Sequence, residues 1–352
     1  MKLGFGKKNL VGLDIGSSSV KAVELQGKLG DLHLVSLGYE SLQADSVVDG
    51  QIIEMNDVSN VISRIFKERQ IKTDRVAAGV GGHSVIVKNI NVPLMSEEEL
   101  AESIDWHAEE HIPFEISDVS LGYQIVGSSS DALQVLMAAC KRDRVSNVKQ
   151  VIQLAGKQPV IIDVDAFALQ NCYEVNYWPE PNLTVALMNI GASTTNINIV
   201  HGVKSVFTRD LSVGGNQYTA LLQKELGLTF EQAEAAKRGA SASDEGVSGE
   251  VDSILTMMSD VFALEIKKTF DFYRATADDH EAVVRKILVS GGGSKLRGLA
   301  QYLANHFEIP VEQFDPFRQV KVDSRRFNPE YMREVMPEMA VAVGLALRGV
   351  DA

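Results

Sequence analysis

The sequence has 352 residues, of which 45% are hydrophobic and 23% are charged, and its formal net charge is −13 at pH 7. This composition predicts a soluble globular protein of two domains or several subdomains. The acidic balance argues against a general nucleic-acid binder, which needs clustered lysine and arginine. The two cysteines, Cys140 and Cys172, lack CxxC or histidine spacing, so we expect a reducing compartment and neither a disulfide nor a zinc site.

We expect neither a signal peptide nor a membrane span. The residues before the first predicted strand include lysines but no apolar stretch, which argues against a signal peptide. The longest apolar candidate, residues 339–347, has half the length needed to cross a bilayer. The sequence therefore predicts a cytoplasmic protein that meets a membrane only through a partner or a surface contact.

The first predicted elements are a hairpin at 11–25, a strand at 32–39, a helix at 57–70 and a buried strand at 75–80. Apolar residues at helical spacing indicate the helix. Three strands followed by a helix and a strand differ from the βαβ alternation of a dinucleotide-binding fold.

Residues 87–156 are predicted to form a separate small module. Its first strand leads into a capping box at 96–99, and the helix that follows ends before Pro113. The remaining elements are strands at 119–126 and 133–139 and a helix at 144–155.

The second half repeats the order of the first. A strand at 159–164 and a helix at 166–173 come before a boundary at 179–181. The predicted elements of the second half are a hairpin at 185–200, a strand at 205–211, helices at 215–226 and 250–277, and a strand at 286–290. Residues 239–249 have the composition of a flexible loop. The repeat indicates two related domains around one cleft.

The turns of the two hairpins match each other. Glycine in such a turn allows positive φ and close approach of the backbone, and successive N–H groups can form an anion site suited to phosphate. Two facing turns can hold one polyphosphate from both sides. The first turn reads Asp14-Ile-Gly16-Ser17-Ser18-Ser19 and is followed by Lys21, and the second reads Asn189-Ile-Gly191-Ala192-Ser193-Thr194.

These segments, in this order, resemble the actin-like ATPase superfamily over the whole chain. The resemblance implies an α/β, ribonuclease H-like duplicated, two-domain fold with a bound nucleotide in the cleft. It identifies residues 163–169 and 342–346 as the two connecting helices and residues 290–294 as the adenosine loop.

Within the superfamily the chain is most similar to the PilM family of type IV pilus assembly. The matching segments are Phe5-Gly-Lys-Lys8, His111-Ile-Pro-Phe114, Ala138-Ala-Cys-Lys-Arg142, Ala155-Gly156, Asp163-Val-Asp-Ala-Phe-Ala168 and Gly214-Gly215. The inserted module also resembles the small FtsA-type subdomain found in PilM and FtsA, whereas actin and sugar kinases lack it.

The resemblance also implies a division into four subdomains. Subdomain 1A would comprise 1–86, 157–180 and 335–352, the inserted subdomain 1C 87–156, subdomain 2A 181–220 with 285–334, and subdomain 2B 221–284.

The implied cofactors are ATP or ADP and Mg²⁺. Asp14 would organise water around the metal, because Mg²⁺ keeps several waters and needs only one or two carboxylates. The alternative for Asp14 is a capping residue in a strand-terminal turn. The other residues placed at the nucleotide are Gly16, Ser17, Ser18, Ser19, Lys21, Asn189, Gly191, Ala192, Ser193, Thr194, Gly214, Gly215, Glu234, Lys237, Gly291, Gly292, Gly293 and Ser294.

Two of these assignments have ordinary structural alternatives. Glu234 and Lys237 resemble the pair that contacts ribose and adenine, but a glutamate and a lysine three apart also form solvated helical pairs. Gly291, Gly292 and Gly293 could form a plain glycine turn. His107 and His111 are four apart, but no third ligand is evident, so we expect solvated or interfacial histidines rather than zinc ligands.

Two positions bear on catalysis. The family normally has aspartate where this chain has Asn189, and an amide brings no negative charge to Mg²⁺. This difference puts hydrolysis in doubt more than binding. Asp163 is the nearest match to the residue that orients the attacking water, although a helix cap explains it equally well.

The resemblance implies an ATP-binding scaffold that docks the N-terminal cytoplasmic tail of the inner-membrane protein PilN. The tail would lie extended between the first domain and the module, near residues 85–91 and 112–114. Other pilus-assembly proteins and motor ATPases would be further partners, at the cytoplasmic face of the inner membrane. The alternatives are an active ATPase, a sugar-type kinase and an FtsA-like filament protein.

Overall fold

The computed structural model describes residues 9–239, 245–277 and 283–350. Two expectations concern other residues: the Phe5–Lys8 segment and the part of the predicted loop at 240–244 lie outside the described residues.

Strands and α-helices are numbered in chain order. The strands are β1 (Val11–Ile15), β2 (Ser19–Lys28), β3 (Asp31–Ser41), β4 (Val47–Val48), β5 (Gln51–Ile52), β6 (Arg75–Val80), β7 (Val85–Pro93), β8 (Val119–Ser128), β9 (Ala132–Lys141), β10 (Gln158–Val164), β11 (Thr184–Ile190), β12 (Thr195–His201), β13 (Lys204–Leu211), β14 (Lys286–Ser290), β15 (Val311–Gln313) and β16 (Val320–Lys321). The helices are α1 (Met55–Glu68), α2 (Glu97–Glu109), α3 (Arg142–Leu154), α4 (Asp165–Tyr177), α5 (Gly215–Leu226), α6 (Phe230–Lys237), α7 (Glu245–Thr276), α8 (Leu299–Phe307), α9 (Pro329–Val335) and α10 (Ala340–Ala346).

Two sheets with the same plan form the two halves of the molecule. The first has the order β10-β6-β1-β2-β3-β16, and the second has the order β13-β12-β11-β14-β15. In each sheet three consecutive strands pair antiparallel, and the first of them also pairs with a later parallel strand. The duplicated α/β fold predicted from the sequence is therefore confirmed.

The two connecting helices, α4 and α10, join the halves. Their buried residues share one core with residues of both sheets, including Leu169, Leu187 and Val343. The helices approach closely because Gly344 has no side chain: a Cβ there would overlap the carbonyl oxygen of Ala168. Gly12 of β1 packs equally closely against Ala342. The two halves are thus joined by a tightly packed helix pair.

The inserted module has its own sheet, ordered β7-β9-β8, and its own core with α2. The predicted capping box is present, since the backbone N of Ser96 donates to Glu99 and the backbone N of Glu99 donates to Ser96 Oγ. Helix α3 differs from the prediction, because its apolar side chains pack with α1 in the core of the first sheet. This packing favours a module boundary near residue 141 rather than 156.

The remaining differences concern the bounds of elements. Helix α7 begins at Glu245, within the loop predicted at 239–249. Helix α1 begins and ends two residues before the predicted helix. The small β4–β5 hairpin was not predicted, because its two-residue strands are too short to give an alternating pattern.

Candidate functional site: a cleft between two matching turns

The first turn closes the β1–β2 hairpin. The backbone N of Gly16 donates to the carbonyl oxygen of Ser19 at 3.0 Å. Asp14 and Lys21 face each other across the hairpin, with Lys21 Nζ 3.3 Å from Asp14 Oδ2. Burial alone would lower the pKa of the Lys21 ammonium, but the charges of Asp14 and Glu338 outweigh it and raise the pKa. The turn therefore carries a protonated lysine, the charge that a phosphate would meet.

The second turn has the same backbone geometry. The backbone N of Gly191 donates to the carbonyl oxygen of Thr194 at 2.8 Å, and the β11–β12 hairpin flanks this bond. The predicted glycine pair packs on this turn: the backbone N of Gly215 donates to Gly191 at 2.9 Å. A Cβ at Gly214 would lie 2.6 Å from the carbonyl oxygens of the turn, so α5 begins directly against it.

Asn189 lies next to the glycine loop predicted for adenosine. Its Oδ1 accepts a 3.4 Å hydrogen bond from Ser290 Oγ, and a Cβ at Gly291 would lie 2.6 Å from the same oxygen. Gly291 has a φ of 83°, which strongly favours glycine. Asn189 thus interacts with the adjacent loop and brings no negative charge to the cleft.

Residues 292–295 form a short 3₁₀ helix at the end of β14. Ser294 Oγ donates to the carbonyl oxygen of Gly291 at 2.7 Å, and Gly293 packs so closely on Ile190 that a Cβ would overlap its side chain. This packing brings the predicted adenosine loop and the second turn together.

Glu234 and Lys237 are not a solvated pair. Lys237 is buried, and its Nζ donates to Glu234, to Thr219 Oγ1 at 2.8 Å and to the carbonyl oxygen of Gly215 at 3.2 Å. Burial lowers the pKa of the Lys237 ammonium, and Glu234 opposes this shift. The pair therefore fixes α6 to the start of α5, beside the second turn.

Asp163 forms an ion pair with Arg348, which follows the second connecting helix, α10. Arg348 Nε lies 3.0 Å from its Oδ2, and the backbone N of Val164 donates to its Oδ1 at 2.8 Å. Burial raises the pKa of the Asp163 carboxyl, and the charge of Arg348 opposes this shift. Asp163 Oδ2 is buried and makes no hydrogen bond, so Arg348 is its ion-pair partner only, and the catalytic role of Asp163 stays a prediction.

Asp165, two residues later, is the first residue of α4. It is half-buried, and its carboxylate lies over the end of β6, where a Cβ at Gly79 or Gly81 would overlap it. Burial raises its pKa well above the usual range, and the charges of Asp14 and Asp210 raise it further. The sequence contained a signal for this residue, because Asp165 is the second acid of the Asp-Val-Asp segment where β10 ends.

Asp210 brings a third carboxylate, from β13 of the second half. Asn196 Nδ2 donates to its Oδ1 at 2.8 Å, while Asn196 Oδ1 is buried without a hydrogen-bond partner. Burial raises the pKa of the Asp210 carboxyl, and the bond from Asn196 opposes this shift. No sequence motif pointed to Asp210, because its proximity to Asp165 depends on how the halves pack.

The three carboxylates, Asp14, Asp165 and Asp210, define the acidic cluster. Crowded carboxylates in a cleft repel one another, and a cation relieves that repulsion. Within the described residues, no group of three acidic, histidine or cysteine side chains is arranged to hold a metal directly. His107 and His111 also belong to no such group.

A cavity of about 380 Å³ adjoins the acidic cluster. It lies between β7, β13 and the junction of β10 with α4, and its lining includes Asp210 and Asn196. Both β7 and β13 are edge strands of their sheets, so each presents an unpaired backbone edge. Further along, Asn89 Nδ2 donates to the carbonyl oxygen of Ser205 at 3.2 Å and ties the two strands together.

In the described part of the chain, no helix combines the length and the apolar character required to span a membrane.

Comparisons with solved structures agree with this architecture. A chain of a "PilM-PilN type IV pilus biogenesis complex" is 29% identical, with a TM-score of 0.87, over 99% of this chain and 100% of the other. MreB5 of Spiroplasma citri bound to ADP is 14% identical, with a TM-score of 0.53, over 96% and 94% of the two chains. The second likeness shows the actin-like fold alone.

Sequence comparisons identify the family. The cell division protein FtsA of Streptococcus pneumoniae is 22% identical, over 87% of this chain and 75% of FtsA. The family described as type IV pilus assembly protein PilM matches residues 12–350. The chain therefore belongs to the PilM family of type IV pilus assembly proteins, with an actin-like fold.

Proposed function

We propose that this chain binds ATP or ADP in the cleft and acts as a nucleotide-dependent scaffold of type IV pilus assembly. The observation that carries the proposal is the matched pair of turns, each closed by the same glycine hydrogen bond, at 3.0 Å in one half and 2.8 Å in the other. Related actin-like folds support it, since MreB5 of Spiroplasma citri is described bound to ADP and to AMPPNP.

The residues of the two turns would hold the phosphates. Backbone N–H groups and hydroxyls at 17–18 and 192–194 would donate to the phosphate oxygens, and Lys21 would add a positive charge. Gly215 and Lys237 support the second turn, and residues 291–294 would approach the adenosine. Bound Mg²⁺ would offset phosphate charge, and Asp14 would orient its water shell.

We infer weak or no hydrolysis. Asn189 brings no charge to the metal, so the second turn positions metal-bound water less firmly than an aspartate would. The role of orienting the attacking water passes from Asp163 to Asp165 in this proposal, because Asp165 lies in the cleft and feels the charge of Asp14. The presence of Asp165 also keeps an active ATPase as the alternative function.

The proposed partner is the N-terminal cytoplasmic tail of a PilN protein. The solved chain that is 29% identical to this one belongs to a PilM-PilN complex. The free edge of β7 in the cavity offers a place where an extended peptide could add as a strand. The scaffold would then connect the cytoplasmic face of the inner membrane to other pilus-assembly proteins and motor ATPases.

One set of titrations tests this function. ATP binding is measured by calorimetry with Mg²⁺, and phosphate release is measured with and without a synthetic PilN tail. We expect binding that Asp14→Ala weakens, and fewer than about one turnover per minute. Asp163→Asn is the control for the loss of a carboxylate elsewhere. Unchanged ATP occupancy in Asp14→Ala contradicts the site, and multiple turnovers per minute without a partner contradict the scaffold.

A further inference from the structure

The segment that enters α10 reaches the base of the cleft. Residues 336–338 form a short 3₁₀ helix in which Pro337 and Glu338 are buried. Glu338 Oε1 accepts a 2.7 Å bond from Lys295 Nζ, and 7% of the Glu338 side chain is exposed. Lys295 ends the glycine loop of the second half, so this buried ion pair joins the second half to the connecting helix.

Two more contacts strengthen this junction. The backbone N of Gly291 donates to the carbonyl oxygen of Pro337 at 2.7 Å. A Cβ at Gly292 would lie 3.4 Å from Glu338 Oε2, so the loop lies directly against the carboxylate. The loop at 291–295 is therefore tied to the connecting segment at both of its ends.

The charge of Glu338 also affects two residues of the first half, Lys21 and Tyr39. Its negative charge raises the pKa of Lys21 together with the charge of Asp14, and it raises the pKa of Tyr39 after the larger effect of burial. The Glu338 carboxylate therefore contacts the glycine loop of the second half, and its charge reaches the lysine of the first turn.

We propose that Glu338 is a positioning residue that latches the 291–295 loop to α10 and so slows release of the bound nucleotide. Removing one partner of a buried ion pair leaves an uncompensated charge, so the junction opens more often. The effect on release rests on the proposed nucleotide function, whereas the latch itself is a property of the protein alone.

The test combines amide hydrogen exchange without nucleotide with the release rate of a fluorescent ADP analogue. In Glu338→Gln and Lys295→Met we expect exchange in peptides covering 288–296 to accelerate at least roughly tenfold, and release to accelerate similarly. The double variant should add little to either single change. Lys286→Met is the matched control, because its 2.8 Å pair with Glu312 lies within the second sheet.

If peptides covering 288–296 exchange at the wild-type rate in both Glu338→Gln and Lys295→Met, the proposed latch is wrong. Should Glu338→Gln fail to fold, Lys295→Met decides alone, because it removes the same ion pair from its more exposed side. If the wild type binds no nucleotide, the proposed function fails, and hydrogen exchange alone still decides the latch. Faster release with unchanged exchange also overturns it.

Discussion

Gly16 and Gly191 make the same hydrogen bond in the two halves, each donating its backbone N–H to the carbonyl oxygen three residues later, at 3.0 and 2.8 Å. The charge of the two turns differs. Asp14 precedes the first glycine and pairs with Lys21 at 3.3 Å, whereas Asn189 precedes the second. The backbone of the site is symmetric and its charge is not.

Restoring the missing charge should strengthen the metal site. In Asn189→Asp we expect the Mg²⁺ dependence of ATP affinity to increase roughly tenfold, because a bond to a charged group is worth about 1–3 kcal/mol, and we expect phosphate release to rise. Calorimetry with and without Mg²⁺ measures the effect. Asn189→Ala is the control, since it removes the same amide without adding charge. Equal Mg²⁺ dependence in wild type and Asn189→Asp would contradict the interpretation.

The two aspartates at the end of β10 should respond differently. Asp165→Asn should lower any residual single-turnover hydrolysis about 10²-fold, the typical size of a proton-transfer or water-positioning effect. Asp163→Asn should leave hydrolysis nearly unchanged and change stability by less than about 1 kcal/mol, because burial of the charged carboxyl offsets its pair with half-exposed Arg348. Quenched-flow measurement of hydrolysis and thermal unfolding distinguish the two aspartates. Loss of hydrolysis in Asp163→Asn but not in Asp165→Asn would assign the water-orienting role to Asp163.

The acidic cluster predicts a specific dependence of stability on pH. The folded chain raises the pKa of Asp165 well above its ordinary value of 3.8, so the folded state binds that proton more tightly than the unfolded state. The stabilising contribution is complete below pH 3.8 and is lost as the pH rises towards the folded pKa. In urea titrations between about pH 4 and 7, the unfolding free energy should fall less in Asp165→Asn than in wild type. Parallel curves would exclude this linkage.

The contact between α4 and α10 should tolerate no side chain at Gly344. Its Cβ would overlap the carbonyl oxygen of Ala168 in the facing helix, so Gly344→Ala should destabilise the fold by about 3 kcal/mol or more. Gly249 in α7 has open space around it, and Gly249→Ala should stabilise by about 0.5–1 kcal/mol. Chemical denaturation of both variants measures the difference, and equal effects would contradict the close approach of α4 and α10.

Filling the cavity should block the peptide. Val87 of β7 lines the cavity, and Val87→Trp should weaken binding of a synthetic PilN tail at least roughly tenfold, since steric exclusion removes the strand edge. Leu94 in the same module is 59% exposed and does not line the cavity, so Leu94→Trp is the matched control. Fluorescence anisotropy measures both, and equal affinities would place the peptide elsewhere.

The sequence predicted the fold because its strongest signals are local. The two hairpin turns, the capping box at Ser96 and the glycines at 291–293 each lie within a few residues, and the structure places every one where the pattern indicated. The sequence analysis grouped the helix at 144–155 with the module, and its apolar side chains pack in the core of the first sheet. An amphipathic pattern shows which residues are apolar but not which sheet they will cover.

The site was less predictable where it depends on distant residues. Asp163 and Asp165 are equally acidic in the sequence, and only the end of β10 turns one towards Arg348 and the other towards the cleft. Asp210 and Glu338 carry no motif. Their roles arise from the packing of β13 and α10 against the other half, which a single sequence does not encode locally.

The most direct measurement is a crystal structure of the chain grown with ATP and Mg²⁺. We expect the polyphosphate between residues 14–19 and 189–194, with backbone N–H groups of both turns donating to it and adenosine against residues 291–294. A nucleotide that contacts one turn only, or lies outside the cleft, would contradict nucleotide binding between the two turns.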